Sequence, residues 1–165
     1  CIKNTTYVPF VACFLPGAAM QLTRFTDLGL RVLMYLTHRD REQSVTIAEI
    51  ASQFSVPHNH LIKVVNRLGW IVATRGRTGG LRLALDPSAL PLGQVLRELE
   101  GQADLVDCAT PPCALRNGCR LKAALDGALD AFYQALDRTT LADVVGTPTG
   151  ETIIRMHRQF LGSAA

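Results

Sequence analysis

Apolar residues first recur at a regular interval between positions 25 and 36. They are spaced by three or four residues, which places them on one face of an α-helix. This face consists of Phe25, Leu28, Val32 and Leu36, with Leu33 and Tyr35 widening it. The polar run HRDREQS follows directly. The pattern therefore predicts an amphipathic helix of about three turns that ends before this run.

Two shorter helices are predicted next, separated by a tight turn. Thr46 and Glu49 have the spacing of a capping box, in which the threonine caps the Glu49 amide and the glutamate reaches back. This box opens a helix over residues 47–54. Ser55 begins the turn, and Pro57 suits the first turn of a third helix. That third helix has an apolar face, namely Leu61, Val64, Val65 and Leu68, and a polar face, namely Asn59, Lys63, Asn66 and Arg67.

The hydrophobic period changes after Gly69, from the helical interval to that of a strand. Residues 70–73 (WIVA) form a short apolar run, and residues 81–85 (LRLAL) alternate as its partner. The glycine-rich segment RGRTGG lies between the two runs, and Asp86-Pro87 ends the second. Two short strands joined by such a turn predict a β-hairpin.

Two further helices are predicted in the second half of the chain. One spans residues 92–100 and ends at Gly101, and the longest spans residues 121–136. The apolar residues of the long helix are Leu121, Leu125, Leu129, Phe132 and Leu136. Pro148 and Gly150 follow, so we expect the chain to be loose there before a short helix at residues 151–160.

The order of these elements predicts a mainly α protein with a small β-hairpin wing. The capped helix, tight turn, second helix and hairpin make a winged helix-turn-helix domain over residues 20–100. Residues 101–120 form a loop with cysteines, residues 121–142 a dimerisation helix, and residues 143–165 a C-terminal tail. A domain of this size does not need so long a helix for its own core, which favours pairing with a second copy. An ordinary core helix is the alternative.

Residues 1–19 fit none of the predicted elements. Their apolar run is broken by Pro9 and Pro16 and carries a single lysine, which makes a poor signal peptide. We therefore interpret them as a leader outside the native fold, with Met20 as the start. No stretch approaches the roughly 20 apolar residues that span a bilayer, so we expect a cytoplasmic protein without a membrane partner.

The formal net charge of +3 conceals a strong local excess of positive charge. Residues 50–85 contain no carboxylate, whereas they contain Lys63, Arg67, Arg75, Arg77 and Arg82. A local excess of one sign is what a polyanionic partner requires, although a solvated basic face has the same composition.

The predicted helix-turn-helix and the basic window together indicate binding to double-stranded DNA. A helix fits the major groove, where Asn reads adenine and Lys or Arg reads guanine or phosphate, and a wing reaches the backbone or the minor groove. The candidate DNA-binding residues are Thr46, Ser55, His58, Asn59, His60, Lys63, Asn66, Arg67, Arg75, Arg77, Thr78, Gly79 and Gly80. Winged helices also serve protein–protein contacts, and the two histidines of this set are alternatively metal ligands.

Three cysteines, Cys108, Cys113 and Cys119, lie in one loop that is rich in proline and glycine. Their spacing lacks the paired Cys-x2-Cys grouping of a zinc site. It suits an iron–sulfur cluster, which usually has four ligands, so that the fourth is supplied from elsewhere or the position stays open. Structural cysteines and a thiol redox switch remain alternatives.

Several segments resemble the nitric-oxide-sensing branch of the Rrf2 family of winged-helix iron–sulfur regulators. They are MQLTRFTDLGLRVLMYL at residues 20–36, IAEIA at 47–51, NHLIKVVNRL at 59–68, RGRTGGLRL at 75–83 and the three-cysteine loop. The resemblance covers about residues 20–142. In the iron–sulfur biogenesis branch a histidine follows the last cysteine by three residues, whereas this chain has Lys122 there.

The resemblance implies a homodimeric repressor with one 4Fe–4S cluster per subunit, which releases a palindromic operator when nitric oxide reacts with the cluster. Cys108, Cys113 and Cys119 would bind the cluster, and Asp27 of the partner subunit would be the fourth ligand. A surface or capping role is the alternative for Asp27. A general redox or iron-status regulator with a 2Fe–2S cluster is the second hypothesis. A small iron–sulfur redox protein is the third, although the wing glycines lack a phosphate-binding spacing.

Overall fold

The computed structural model describes residues 21–41, 43–76, 79–101 and 104–163. Its helices are α1 (Arg24–Tyr35), α2 (Ile47–Phe54), α3 (His58–Arg67), α4 (Leu92–Glu100), α5 (Arg120–Leu136), α6 (Leu141–Val144) and α7 (Thr149–Ser163). Strands β1 (Ile71–Ala73) and β2 (Leu81–Leu83) follow α3, and a 3-10 turn (Pro87–Ala89) precedes α4. This confirms the predicted fold class. The predicted leader, residues 1–19, lies outside the described residues. No helix within the described residues is long and apolar enough to cross a bilayer.

The helix-turn-helix is fixed at its ends by local hydrogen bonds. The Thr46 hydroxyl accepts from the Glu49 amide at 3.1 Å, which confirms the predicted cap of α2. Ser55 ends α2 in the left-handed conformation (φ 52°), which turns the chain sharply into α3. The predicted return contact from Glu49 is not formed. Its carboxylate is buried and accepts instead from Tyr35 and Arg41.

The wing is a two-stranded antiparallel hairpin, and its strands are shorter than the sequence predicts at the end away from the turn. Ile71 pairs with Leu83, and Ala73 pairs with Leu81. The Leu81 amide also donates to the Val45 carbonyl at 2.7 Å, which ties the hairpin to the segment before α2. A Cβ atom at Gly80 would lie 2.6 Å from that carbonyl oxygen. Any larger residue at position 80 would therefore collide with the Val45 backbone.

The core forms around α1, which packs against α3, α4 and α6. Leu99 of α4 packs directly on Gly29 of α1. A Cβ atom at position 29 would lie 2.8 Å from Cδ1 of Leu99. α4 packs in turn against α5. α5 itself has no buried residue, and Leu121 and Phe132 on it are 65% and 44% exposed.

The C-terminal segment differs from the expectation of a loose tail with a short helix. It forms α7, with Thr149–Ser163 as its bounds, and Ile153 and His157 of this helix are buried. α7 packs against α2. The apolar pattern missed this packing because one of the two buried anchors is a histidine rather than an apolar residue.

Candidate functional site

The polar face of α3 is open to solvent, as the sequence predicts. Leu61, Val64 and Val65 are buried and anchor the helix on the core. The opposite face carries the candidate residues His58, Asn59, His60, Lys63, Asn66 and Arg67, all of which are exposed. Arg67 lies 4.0 Å from Glu98 of α4, so part of its charge is offset within the chain. The structure therefore presents a mainly polar helix face, on which Ile62 is an exposed apolar residue.

Two candidates at the ends of α2 have structural roles as well as exposure. The Thr46 side chain is exposed, but its hydroxyl is used as the cap of α2. Ser55 is exposed at the tight turn, where its backbone conformation sets the angle between α2 and α3.

The wing places Arg75 in solvent, at the base of the hairpin turn. Thr74 closes that turn, since its amide donates to the Gly80 carbonyl at 2.9 Å and its hydroxyl accepts from the Gly80 amide at 3.2 Å. A Cβ atom at Gly79 would clash with the Thr74 backbone. Arg77 and Thr78 lie outside the described residues.

The three cysteines lie close together, half-buried and without a disulfide. The Cys113 amide donates to the Cys108 carbonyl at 3.1 Å, and Asp107 accepts from the amides of Ala109 and Thr110. Burial raises the pKa of the Cys108 thiol, and Cys113 and then Cys119 add to this rise, while Lys122 opposes it. The loop therefore brings the thiols within electrostatic reach of one another.

Cys119 also joins the loop to α5. It is the N-cap residue of this helix, and its sulfur accepts from the Lys122 amide at 3.5 Å. The Lys122 ammonium binds Asp126 at 2.9 Å and Asp104 at 3.4 Å. From the sequence, Lys122 served only to separate two branches of the family. In the structure its ion pair with Asp104 connects the start of the loop to α5.

Three free thiols in one loop are donors of the kind that an iron–sulfur cluster takes. Among the described residues no three Cys, His, Asp or Glu side chains converge as the ligands of one ion would. In a cluster each thiolate binds a different iron, so the three sulfurs do not need to converge on one point. Three free thiols in one loop therefore provide the chemistry of a cluster with one position left for another ligand.

Asp27 lies in the first turn of α1, where its carboxylate is half exposed. It accepts from Nε of Arg31 at 3.0 Å. Both residues line a groove of about 500 Å³ between α1 and the α2–α3 turn, together with Arg24, His60 and Lys63. Sequence reasoning missed Arg31, which the spacing of four residues from Asp27 on a helix could have indicated.

An exposed helix-turn-helix with an attached hairpin is the architecture of a winged helix-turn-helix domain. The family model described as "Rrf2: Iron-dependent Transcriptional regulator" matches residues 22–147. The chain belongs to the Rrf2 family of transcriptional regulators.

Relatives of known sequence or structure agree with this assignment. The chain is 45% identical over 140 residues to the HTH-type transcriptional repressor NsrR of Streptomyces coelicolor, covering 82% of this chain and 95% of that protein. Its fold is similar to that of CymR, the global cysteine regulator of Bacillus subtilis, with a TM-score of 0.62, 26% identity and coverage of 76% and 96%. The oxidized form of Staphylococcus aureus CymR gives a TM-score of 0.58 at 24% identity, with coverage of 76% and 95%.

Proposed function

We propose that the protein is a homodimeric transcriptional repressor that senses nitric oxide through an iron–sulfur cluster and then releases its operator. The observation that carries the proposal is the loop of three unpaired thiols that leads directly into α5. The identity to the repressor NsrR supports the nitric-oxide signal, and the family description supports the use of iron.

The DNA-binding surface consists of the α3 face, the α2–α3 turn and the wing. Asn59 and Asn66 are suited to reading bases in the major groove, and Lys63 is suited to phosphate or guanine. The other contacts are Thr46, Ser55, His58, His60, Arg67, Arg75, Arg77, Thr78, Gly79 and Gly80. The absence of carboxylates from residues 50–85 supports this surface, since none would repel a phosphate there.

The dimer forms along α5. This helix has no buried residue in the single chain, yet it carries exposed Leu121 and Phe132. A symmetric second copy would cover these side chains and present two α3 helices to a palindrome, with half-sites about one helical turn apart.

Cys108, Cys113 and Cys119 would hold the cluster, 4Fe–4S in this proposal, and Asp27 of the partner subunit would complete its ligands. The cluster supplies iron atoms at which nitric oxide binds. A carboxylate is a harder ligand than thiolate and holds such an iron less firmly. Within its own chain the Asp27 carboxylate accepts from Arg31 Nε at 3.0 Å. This ion pair gives the carboxylate an alternative to the iron and would make it easier to displace.

A chain of packed elements connects the cysteine loop to α3. Cys119 caps α5, and α5 binds α4 through Arg97 and Asp137. α4 packs on α1 at Leu99 and Gly29, and α1 packs on α3. A coupling of about 1–3 kcal/mol along this route would change operator affinity by about 5–150-fold.

The test is anaerobic reconstitution of the full chain with iron and sulfide, followed by titration with nitric oxide. We expect a visible chromophore, iron and sulfide counts of a 4Fe–4S cluster, and loss of operator binding in step with bleaching. Cys113→Ser removes the chromophore, whereas Arg116→Gln in the same loop keeps it. A Cys113→Ser protein with the normal spectrum would exclude the loop as the cofactor site.

A second candidate is a regulator of general redox or iron status with a 2Fe–2S cluster. The description of the family as iron-dependent favours it. The same titration decides between the two, because DNA binding would then ignore nitric oxide and follow the oxidation state of the cluster.

A further inference from the structure

A fully buried polar cluster joins the C-terminal helix to the DNA-binding domain. It consists of Tyr35 at the end of α1, Arg41 in the following connection, Glu49 of α2 and His157 of α7. The Tyr35 hydroxyl donates to Glu49 Oε1 at 2.7 Å, and Arg41 Nη2 donates to Glu49 Oε2 at 3.1 Å. His157 Nδ1 lies 2.7 Å from Arg41 Nη1. The side chains of Arg41, Glu49 and His157 are at most 5% exposed.

The two ring nitrogens of His157 have distinct roles. A guanidinium can only donate, so Nδ1 accepts from Arg41 and the ring proton lies on Nε2. Nε2 lies 3.0 Å from the Tyr35 carbonyl and donates to it. That carbonyl is among the last four of α1, which helical hydrogen bonds leave unpaired. The imidazole also stacks on the Tyr35 ring, with centroids 3.9 Å apart.

We propose that His157 is a positioning residue for DNA binding, which holds α2 against α1 by fixing Arg41 on Glu49. α2 is the first helix of the helix-turn-helix, so its angle to α1 sets how α3 is presented to the groove. This role rests on the proposed binding of DNA but is independent of the cluster. It assigns to α7 a function that the cysteine loop does not supply.

The arrangement requires a neutral imidazole. Burial lowers the pKa of His157, His38 and Arg41 lower it further, and the Tyr35 carbonyl and Glu49 oppose them. Tyr35 stays a neutral donor because burial and Glu49 raise its pKa. Protonation of His157 would remove the acceptor of Arg41 and place a second positive charge beside it. His38 faces the same ring at 4.8 Å, so Tyr35, His38, Arg41 and Glu49 are the groups that determine the charge of His157.

The sign of the pH effect follows from the lowered pKa. The stabilising contribution of neutral His157 is fully present above the ordinary histidine pKa of about 6.5 and is lost as pH falls from there towards the lowered value. The pH profile of wild-type binding sums the contributions of every group that changes charge over this range. Only a comparison with a variant that lacks the imidazole therefore isolates the contribution of His157.

The experiment measures affinity for a duplex that the wild-type protein selects from a random library. His157→Phe keeps a stacking ring without hydrogen bonds, and His157→Asn keeps an acceptor near Nδ1 but does not titrate. Gln159→Ala, at an exposed position of the same helix, is the matched control. All variants are reconstituted anaerobically as full chains, and their cluster spectra and melting curves are recorded.

At about pH 8 we expect His157→Phe to bind roughly tenfold more weakly, His157→Asn to recover most of that loss, and Gln159→Ala to match wild type. As pH falls below about 6.5 towards the lowered pKa of His157, wild type loses affinity relative to His157→Asn. If the DNA affinities of wild type and His157→Asn depend on pH in the same way, the proposal is overturned. This comparison tests the proposal even where His157→Phe fails to fold. The response to nitric oxide is measured in parallel. Its failure with the His157 effects intact refutes only the sensing function.

Discussion

Arg97 of α4 donates two hydrogen bonds to the carboxylate of Asp137 at the end of α5, from Nη1 at 2.9 Å and from Nη2 at 2.7 Å. The same guanidinium lies 4.8 Å from the centre of the Tyr133 ring. The pair lowers the pKa of Asp137 and raises that of Arg97, and their hydrogen bond is the main cause of both shifts. Because α4 packs on α1 and α5 begins at Cys119, this contact lies on the route from the cysteine loop to the DNA-binding helices.

Arg97→Lys is therefore expected to weaken the coupling between cluster and DNA without loss of the cluster. Lysine keeps the charge but cannot form the two-point contact or the planar stacking. The measurement is operator affinity before and after nitric oxide, and the ratio of the two is expected to shrink. Arg138→Gln, at an exposed neighbouring position, is the control. An unchanged ratio in Arg97→Lys would remove this ion pair from the route.

The same contact gives a pH dependence of known sign. The lowered pKa of Asp137 means that its stabilisation is present above the ordinary aspartate pKa of about 3.9 and is lost as pH falls below it. Wild type is thus expected to lose more thermal stability than Asp137→Asn on acidification through this range. Melting curves at stepped pH test this, and parallel curves would contradict it.

Gly93 of α4 is required by the close approach of α5. A Cβ atom there would lie 2.5 Å from the Tyr133 carbonyl oxygen and would also clash with the Asp137 carboxylate. Gly93→Ala is therefore expected to cost about 1–3 kcal/mol of unfolding free energy. Gly127→Ala in α5 is the matched control, since nothing lies within 4 Å of its Cβ position and alanine favours the helix. Denaturant melts of the two variants are expected to shift in opposite directions.

Local sequence patterns were sufficient where apolar residues recur at helical spacing, even in α5, which buries none of them in the single chain. The predicted long helix over residues 121–136 matches Arg120–Leu136, and the Thr46 cap is formed. The pattern failed where a polar group is the anchor. Glu49 fits a capping box by spacing, yet its partners include Arg41, which binds His157 from 116 residues away. No local rule reveals such a contact. For the cysteine loop, the sequence was sufficient to identify the three thiols. The ion pair between Lys122 and Asp104 could be recognised only from the folded structure.

Lys63 and Asn66 lie on the same exposed face of α3 but are expected to contribute differently. Lys63→Ala removes a cation that neutralises a phosphate, so binding weakens on all sequences and the salt slope falls by about one unit. Asn66→Ala removes a neutral group that reads a base, so specific binding alone weakens, by about 1–3 kcal/mol. Titrations of specific and unrelated duplexes over a range of salt separate the two. Equal losses on both duplexes for Asn66→Ala would exclude it as a base contact.

The exposed apolar face of α5 leads to the last prediction. Phe132 is 44% exposed and lies in edge contact with Tyr133, so it is available to a second copy. Phe132→Glu introduces a carboxylate that a symmetric interface would place near its own counterpart, which costs desolvation without a partner. Light scattering is expected to show a monomer, while circular dichroism keeps the helical content of wild type because α5 contributes no buried residue to the single chain. Gln134→Glu adds the same charge at another exposed position of the helix and is expected to leave the dimer intact.

The loss of the dimer also has a consequence for DNA binding. Since a dimer reads two half-sites, the monomer loses the affinity gained by joining them, and a palindrome and a single half-site then bind with similar strength. A Phe132→Glu protein that remains dimeric would place the dimer interface elsewhere.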